Sequence, residues 1–198
     1  MKMLSLFILF CFLETLFCDV PGADINTIQN AFNKALPYMK TFHQSKFNLP
    51  NKENKYENIK LDFEEINSNN VQFKYDEFGL LHIKFVNLKF KISGTFYFNL
   101  KIFRKSIGFS ALLNNFNWEI TYALSSTKLS NGKFSLKYKP TGESDVSCYV
   151  SNLKLNEDFM KPLTEKIIPS QIKKLDFSSV KLHLKKLVKV IFDTLQNY

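Results

Sequence analysis

The chain has 198 residues, a length that predicts one domain with a buried core. It contains 27 Lys and Arg against 18 Asp and Glu, so its formal net charge is +9. Phe is abundant at 21 residues, which suits aromatic-rich strands and an apolar interior. No internal repeat or low-complexity segment is present, which excludes repeat architectures.

The N-terminus has the pattern of a secretory signal, with Lys2, an apolar run from Leu4 to Leu13 and a cleavage region near Cys18. A retained anchor is the competing interpretation, but spanning a bilayer takes roughly 20 apolar residues. We therefore expect residues 1–18 to be a signal peptide and 19–198 to form a single secreted domain. Removing the signal changes 27 minus 18 to 26 minus 17, which leaves the net charge at +9.

Only Cys148 remains after the expected cleavage, because Cys11 and Cys18 lie in the signal. It alternates with Val146 and Val150, which places it on the apolar face of a strand. This position favours a buried hydrophobic role over a reactive thiol.

The stretch from residue 71 to 124 has the period of two that is typical of β-strands with one face on a core. The alternating apolar positions are Leu81, Ile83, Phe85, Leu88, Phe90, Ile92, Phe96, Phe98, Leu100 and Ile102, followed by Phe109, Ala111, Leu113, Trp118, Ile120, Tyr122 and Leu124. The register slips by one residue around Val86 and Asn87, which predicts a β-bulge. A long, coiled antiparallel sheet is the expected result.

We predict about seven strands. They are expected to be antiparallel, because the connections between them are too short for crossovers. Ser93-Gly94 is interpreted as a turn, and a hairpin tip is expected near 103–106. The other predicted strands lie at 59–63, 71–75, 133–139 and 145–155, with Pro140 to Gly142 ending the third of these and a polar turn at 67–70.

Residues 24–44 have the three-and-four spacing of an amphipathic helix, with Asp24 as its cap and Pro37 expected to kink or split it. An apolar helix face that packs on a core and one that contacts a ligand have the same spacing, so the sequence is compatible with either role for this helix. Two more helices are predicted at 157–174, interrupted by Pro169, and at 178–196. The last carries Lys181, Lys185 and Lys189 at i+4 spacing, which suits either a solvated face or contact with an anionic membrane.

The sequence contains no constellation typical of an enzyme, so we expect neither catalysis nor a metal or cofactor. His43, His82 and His183 lack metal-ligand spacing, and no phosphate-binding loop or nucleophile elbow occurs. The acidic pairs Glu64-Glu65 and Asp76-Glu77 are interpreted as solvated. Nucleic acid is not expected as a partner, because the lysines are dispersed and the chain is directed to the secretory route.

Several short segments carry a resemblance to a known family: Leu49-Pro50 after the first helix, Gly79-Leu80 opening a strand, residues 89–96 (KFKISGTF), and Ser147-Cys148. In these segments and in the order of its elements, the chain resembles the family of bactericidal/permeability-increasing protein, lipopolysaccharide-binding protein and their single-domain palate and lung relatives, the tubular lipid-binding group. The resemblance covers about residues 24–195.

The resemblance implies an α+β fold in which a long, highly twisted antiparallel sheet wraps around helices as a tubular half-barrel. It implies that lipid acyl chains are held between helix and sheet, and that a basic tip at Lys101, Arg104 and Lys105 approaches anionic head groups. The family's usual disulfide joins the strand cysteine to one in the long helix, and here Cys148 lacks that partner. The chain also ends where two-domain members continue, so a single-domain function is expected.

We therefore expect a secreted protein that binds phospholipid or lipopolysaccharide-like amphiphiles in an apolar groove between helices and sheet. The alternative is a surface-active or host-defence interaction protein of the same fold, with a filled interior, that binds anionic membranes without carrying lipid. The residues predicted to line the groove are Ile28, Phe32, Leu36, Met39, Phe96, Phe98, Leu184, Val188 and Ile191.

Overall fold

The computed structural model describes residues 23–43, 46–48, 56–100, 103–131, 134–157 and 161–196, with backbone alone at 38–43, 46–48, 65, 98–100, 103, 104, 134 and 163. The predicted signal peptide and the Leu49-Pro50 segment lie outside the described residues.

Seven strands form one antiparallel sheet in the described parts of the chain. They are β1 (Lys46–Asn48), β2 (Tyr56–Glu65), β3 (Val71–Tyr75), β4 (Leu80–Leu100), β5 (Phe103–Lys128), β6 (Phe134–Glu143) and β7 (Ser147–Leu155). β4 and β5 form a hairpin paired from Leu80 and Ala123 to Leu100 and Phe103. β2 and β3 pair with successive stretches of β4, β7 and β6 pair with successive stretches of β5, and β1 pairs with β2.

Three α-helices complete the part of the fold that the structure describes: α1 (Ile25–His43), α2 (Lys161–Ile172) and α3 (Ser178–Leu195). α1 and α3 contact each other, and their apolar faces join the inner side chains of the sheet in one core. α2 contacts β7. The predicted fold class is confirmed: this is an α+β fold whose antiparallel sheet wraps around helices.

The predicted cap of the first helix is confirmed by its hydrogen bonds. The backbone N–H of Thr27 donates to Oδ1 of Asp24 at 3.0 Å, and the Thr27 hydroxyl donates to Oδ2 at 2.5 Å. These bonds, the side-chain bond first, lower the pKa of the Asp24 carboxyl because they stabilise its charged form. Beside this cap, the Tyr75 hydroxyl donates to the carbonyl of Ala23 at 2.6 Å, which ties the helix start to β3.

The predicted bulge at Val86 and Asn87 is confirmed, and it is one of several. Asn58, Asn87, Asn115 and Asn152 have φ values of 53°, 55°, 50° and 51°. Each lies where the strand register shifts. Asn is among the few L-residues that adopt left-handed backbone readily, so these bulges form at little steric cost. Each one bends its strand and increases the local twist.

The prediction of a turn at Ser93-Gly94 is wrong. β4 runs unbroken through this position, Gly94 pairs with Phe109, and the chain reverses between Leu100 and Phe103. A Cβ atom on Gly94 would lie 2.5 Å from Cδ1 of Ile59 and 3.2 Å from the carbonyl oxygen of Glu57. Gly94 therefore permits the close approach of β2 rather than a change of chain direction.

The helices and the strand that contain Pro37, Pro169 and Pro140 continue past these prolines. α1 continues through Pro37, and α2 begins at Lys161 and continues past Pro169 to Ile172. β6 also extends beyond Pro140 to Glu143, with a register shift opposite Thr121 and Tyr122. β6 is an edge strand of the described sheet, which is the position where proline is tolerated in a sheet.

Substitution of Gly94 tests whether close approach is its role. Because the added methyl group meets Ile59 and the β2 backbone, Gly94→Ala should reduce the free energy of unfolding by about 1–3 kcal/mol. Gly142→Ala is the matched control, since nothing lies within 4 Å of its Cβ position, and its effect should be within about 0.5 kcal/mol. Urea denaturation measures the free energy of unfolding of both variants, and an unchanged m-value shows that a shift of the midpoint reports stability. Equal effects of the two substitutions would contradict the packing role.

Candidate functional site

The predicted groove-lining residues of the two long helices converge on one interior. Ile28 and Phe32 of α1 and Val188 and Ile191 of α3 have 0% exposure, and Leu184 has 2%. Leu36 is partly buried and packs against the same core. From the sheet, Phe96 faces this interior with 4% exposure. The side chains of Met39 and Phe98 lie outside the described residues.

Aromatic rings run along the interior from one end of the sheet to the other. At one end, the Phe192 ring of α3 lies 4.4 Å from that of Tyr138 and 5.2 Å from that of Tyr122. At the other end, Tyr56 lies 5.0 Å from Phe96 and 6.2 Å from Phe109. Along β5, the distance from Tyr122 to Phe109 is roughly 40 Å at about 3.3 Å per residue.

These lining residues are enclosed by the protein itself. A side chain beside a water-sized void would be accessible to water, whereas Ile28, Phe32, Val188 and Ile191 have no accessible surface. An acyl chain that binds at these residues must therefore displace side chains or separate a helix from the sheet. Among the described side chains, the interior supplies apolar surface but no charged partner for a ligand.

The basic face of α3 closes the interior near Trp118. Nζ of Lys181 and of Lys185 each lie 5.9 Å from the centroid of the Trp118 ring. The same two ammonium groups bind Glu143 of β6, at 3.4 and 2.7 Å. The hydrogen bond from Lys185, foremost, lowers the pKa of the Glu143 carboxyl. Lys181 and Lys185 thus fasten α3 to the sheet, whereas Lys189, the third lysine at this spacing, is exposed.

The predicted basic tip lies mainly beyond the described side chains. Lys101 is outside the described residues, and Arg104 is described only as backbone in β5. Lys105 forms an ion pair with Glu157, which offsets part of its charge. The role of the tip in binding head groups remains a prediction.

A charged cluster on the outer face was missed by the sequence analysis. Nδ1 of His82 lies 2.6 Å from Oε1 of Glu119, and its Nε2 lies 3.0 Å from Oδ2 of Asp76. Hydrogen bonds to Asp76 and then Glu119 raise the pKa of the His82 imidazole, and the bond to His82 lowers the pKa of Asp76. The interpretation of Asp76 as merely solvated is therefore wrong. Glu119 lies near His82 because β4 pairs with β5, with Lys84 opposite Glu119 and His82 opposite Thr121. The sequence spacing alone does not show this proximity.

Asp76 also holds the connection between β3 and β4. Its Oδ1 accepts hydrogen bonds from the backbone N–H groups of Phe78 and Leu80, at 2.9 and 2.8 Å. The exposed Phe78 side chain lies at the tip of this turn. The protonation of His82 is thereby linked to the geometry of a turn.

Three other chemical features of the described residues bear on function. No group of three or more His, Cys, Asp or Glu side chains there is arranged to hold a metal ion. Cys148 is free and half-buried, and burial raises the pKa of its thiol, which disfavours the reactive thiolate. No helix in this part of the chain is long and apolar enough to cross a membrane.

Comparisons with known proteins give no family assignment. No family model matches the chain, and no curated protein matches it. Among solved structures, a crystal structure of lipopolysaccharide binding protein is similar over 87% of this chain, at 11% sequence identity and a TM-score of 0.29. The chain spans 36% of the length of that protein. At this TM-score the likeness carries no argument.

The His82 cluster predicts a pH-dependent stability. The pKa of His82 is raised above its ordinary value of 6.5. The stabilisation that the charged imidazole gives to the folded state is therefore complete below pH 6.5, and it is lost as pH rises through the folded-state pKa. His82→Gln should therefore destabilise the protein more at about pH 5.5 than at about pH 8.5. Urea denaturation of parent and variant at both pH values measures the difference. A difference that does not change with pH would show that the ion pairs do not contribute.

Proposed function

We propose that this chain is a secreted, non-enzymatic protein that binds lipid, with acyl chains accommodated between α1, α3 and the sheet. The observation that carries the proposal is the long apolar interior, lined by aromatic and aliphatic side chains from α1, α3 and the six strands β2 to β7. Apolar burial alone suffices for affinity, because about ten buried methylenes at about 0.8 kcal/mol each contribute on the order of 8 kcal/mol.

Insertion of a lipid requires part of the closed interior to open. α3 is tied to β6 at two places, by the pair of lysines that bind Glu143 and by Gln196, whose Nε2 donates to the carbonyl of Leu136 at 2.9 Å. α1 is tied to β3 through the bond between Tyr75 and Ala23. These contacts are exposed or partly buried, so their loss leaves few polar groups stranded in the core. Movement of a helix as a unit is therefore the proposed route.

The single tryptophan of the chain gives a direct test of insertion. Trp118 is 1% exposed and stacks on Phe85 with a ring separation of 5.8 Å, inside the interior. A phospholipid brominated on its acyl chains should quench Trp118 fluorescence when its chains enter, because bromine quenches only at short range. The measurement compares brominated and unbrominated lipid, and mass spectrometry of the purified protein identifies any lipid that is already bound.

A matched reporter on the outside distinguishes insertion from surface binding. In a variant with Trp118→Phe and Leu182→Trp, the fluorescent ring occupies an exposed position on α3, where Leu182 is 53% exposed. Quenching at position 182 without quenching at position 118 would contradict acyl insertion.

The second candidate is a protein that binds anionic membranes without carrying lipid. The complete burial of Ile28, Phe32, Val188 and Ile191 favours it, because the protein's own side chains already occupy the interior around them. The net charge of +9 supplies the attraction to an anionic surface.

Replacement of Lys101, Arg104 and Lys105 with Ser tests this candidate. Each exposed basic group near an anionic surface contributes about 1 kcal/mol, and Lys105 should contribute least because it pairs with Glu157. Co-sedimentation with anionic vesicles should therefore weaken, most clearly at low salt. A variant with Ser at Lys74, Lys137 and Lys139, which are exposed elsewhere, is the matched control. Equal binding by both variants at every salt concentration would rule out a dedicated tip.

A further inference from the structure

A polar groove crosses the outer face of the sheet, on the side opposite the apolar interior. Its volume is about 460 Å³, and its walls come from β2, β4, β5 and the end of β7. Lys60 pairs with Ser93, Ser93 with Ser110, and Ser110 with Lys154, so these four residues form one transverse row. Their neighbours along each strand, such as Ile92 and Phe109, face the core. The row therefore points outward.

Small side chains form the floor of the groove, and longer ones form its rims. Ser93, Thr95, Gly108 and Ser110 leave the centre low. Three strand spacings of about 4.8 Å separate the backbone of Lys60 from that of Lys154, roughly 14 Å in all. Two flexible lysine side chains on opposite rims can both reach a group of a few ångströms between them.

The rims are shaped by bulges and by one fixed amide. Asn58 lies at the bulge beside Lys60, and Asn152 lies at the bulge that precedes Lys154. Oδ1 of Asn156 accepts a hydrogen bond from the Gly108 N–H at 2.9 Å. A Cβ atom on Gly108 would lie 3.0 Å from Nδ2 of Asn156, so this amide group covers the outer side of the glycine. With its oxygen engaged, the amide retains N–H donors for a ligand.

The groove is electrostatically unbalanced. Its described lining includes Lys60 and Lys154 but no carboxylate. The neighbouring Asp62 lies opposite Lys91 in the strand register, and Glu57 accepts a hydrogen bond from the Tyr97 hydroxyl at 2.8 Å. Two lysine charges therefore face hydroxyl and amide donors with no described acid between them.

We propose that this groove binds a phosphate monoester. A phosphate monoester carries close to two negative charges near neutral pH, which matches the two lysines. Its oxygens accept hydrogen bonds from the ammonium groups, from the hydroxyls of Ser93, Thr95 and Ser110, and from the amides at the rims. The openness of the groove leaves room for the alcohol part of the ester. This site goes beyond lipid carriage and does not depend on it, because it lies on the other face of the sheet.

The same chemistry occurs in a free phosphate ester and in a lipid head group, so the experiment has two arms. Amide chemical shifts of the ¹⁵N-labelled protein are followed during titration with glycerol 3-phosphate, and binding is measured in parallel to vesicles that contain phosphatidic acid. The expected result is a set of saturable shifts at 93–95, 108–110 and 154–156. Binding of the soluble ester indicates a phosphometabolite site, and binding restricted to vesicles indicates a head-group site.

Charge-removing variants make the assignment specific. Lys60→Gln with Lys154→Gln should weaken binding about tenfold or more, because each lysine provides a charged hydrogen bond. Lys74→Gln with Lys137→Gln removes the same charge from exposed positions on β3 and β6 and should leave binding within about twofold. Circular dichroism checks that both variants are folded. The proposal is overturned if the two double variants weaken binding equally, or if glycerol 3-phosphate shifts no groove amide and Lys60→Gln with Lys154→Gln binds the vesicles as tightly as the parent does.

Discussion

The pairing of β4 with β5 is the constraint on which the rest of the structure depends. The two strands stay paired from Leu80 and Ala123 to Leu100 and Phe103, and all other strands except β1 attach to one of them. Their inner face is a continuous apolar surface that cannot remain in water. α1 and α3 cover it, and the outer face keeps the polar residues that form the His82 cluster and the groove between Lys60 and Lys154.

Asparagine gives this sheet its curvature. A sheet with regular register would twist without the additional bends, whereas Asn58, Asn87, Asn115 and Asn152 each place one left-handed residue at a register shift. These bulges change which side chains are neighbours on each face. The groove on the outside and the enclosed core on the inside are thus two results of the same backbone feature.

The sequence predicted what depends on local periodicity. The strand faces, the bulge near Asn87, the cap at Asp24 and the approximate helices all followed from spacing. It failed where a residue acts through another strand: Gly94 was interpreted as a turn because its contact with Ile59 is not local. Strand pairing, which is not local in sequence, brings Glu119 to the cluster of His82 and Asp76. It likewise brings Lys60 and Lys154 to one groove. The described helix residues that were predicted to face the interior do face it, but periodicity does not distinguish packing from lipid contact.

The length of the central hairpin also has a consequence for folding kinetics. Leu100 and Phe103 are close in sequence, so their pairing closes a small loop, whereas Leu80 and Ala123 are joined only after the whole hairpin has formed. Assembly should therefore proceed from the turn towards the strand ends, and a topology rich in such distant pairs folds slowly. The covering helices lie near the two ends of the chain, so the Phe-rich face is complete before both helices can dock. During that interval the nascent protein is most liable to aggregate.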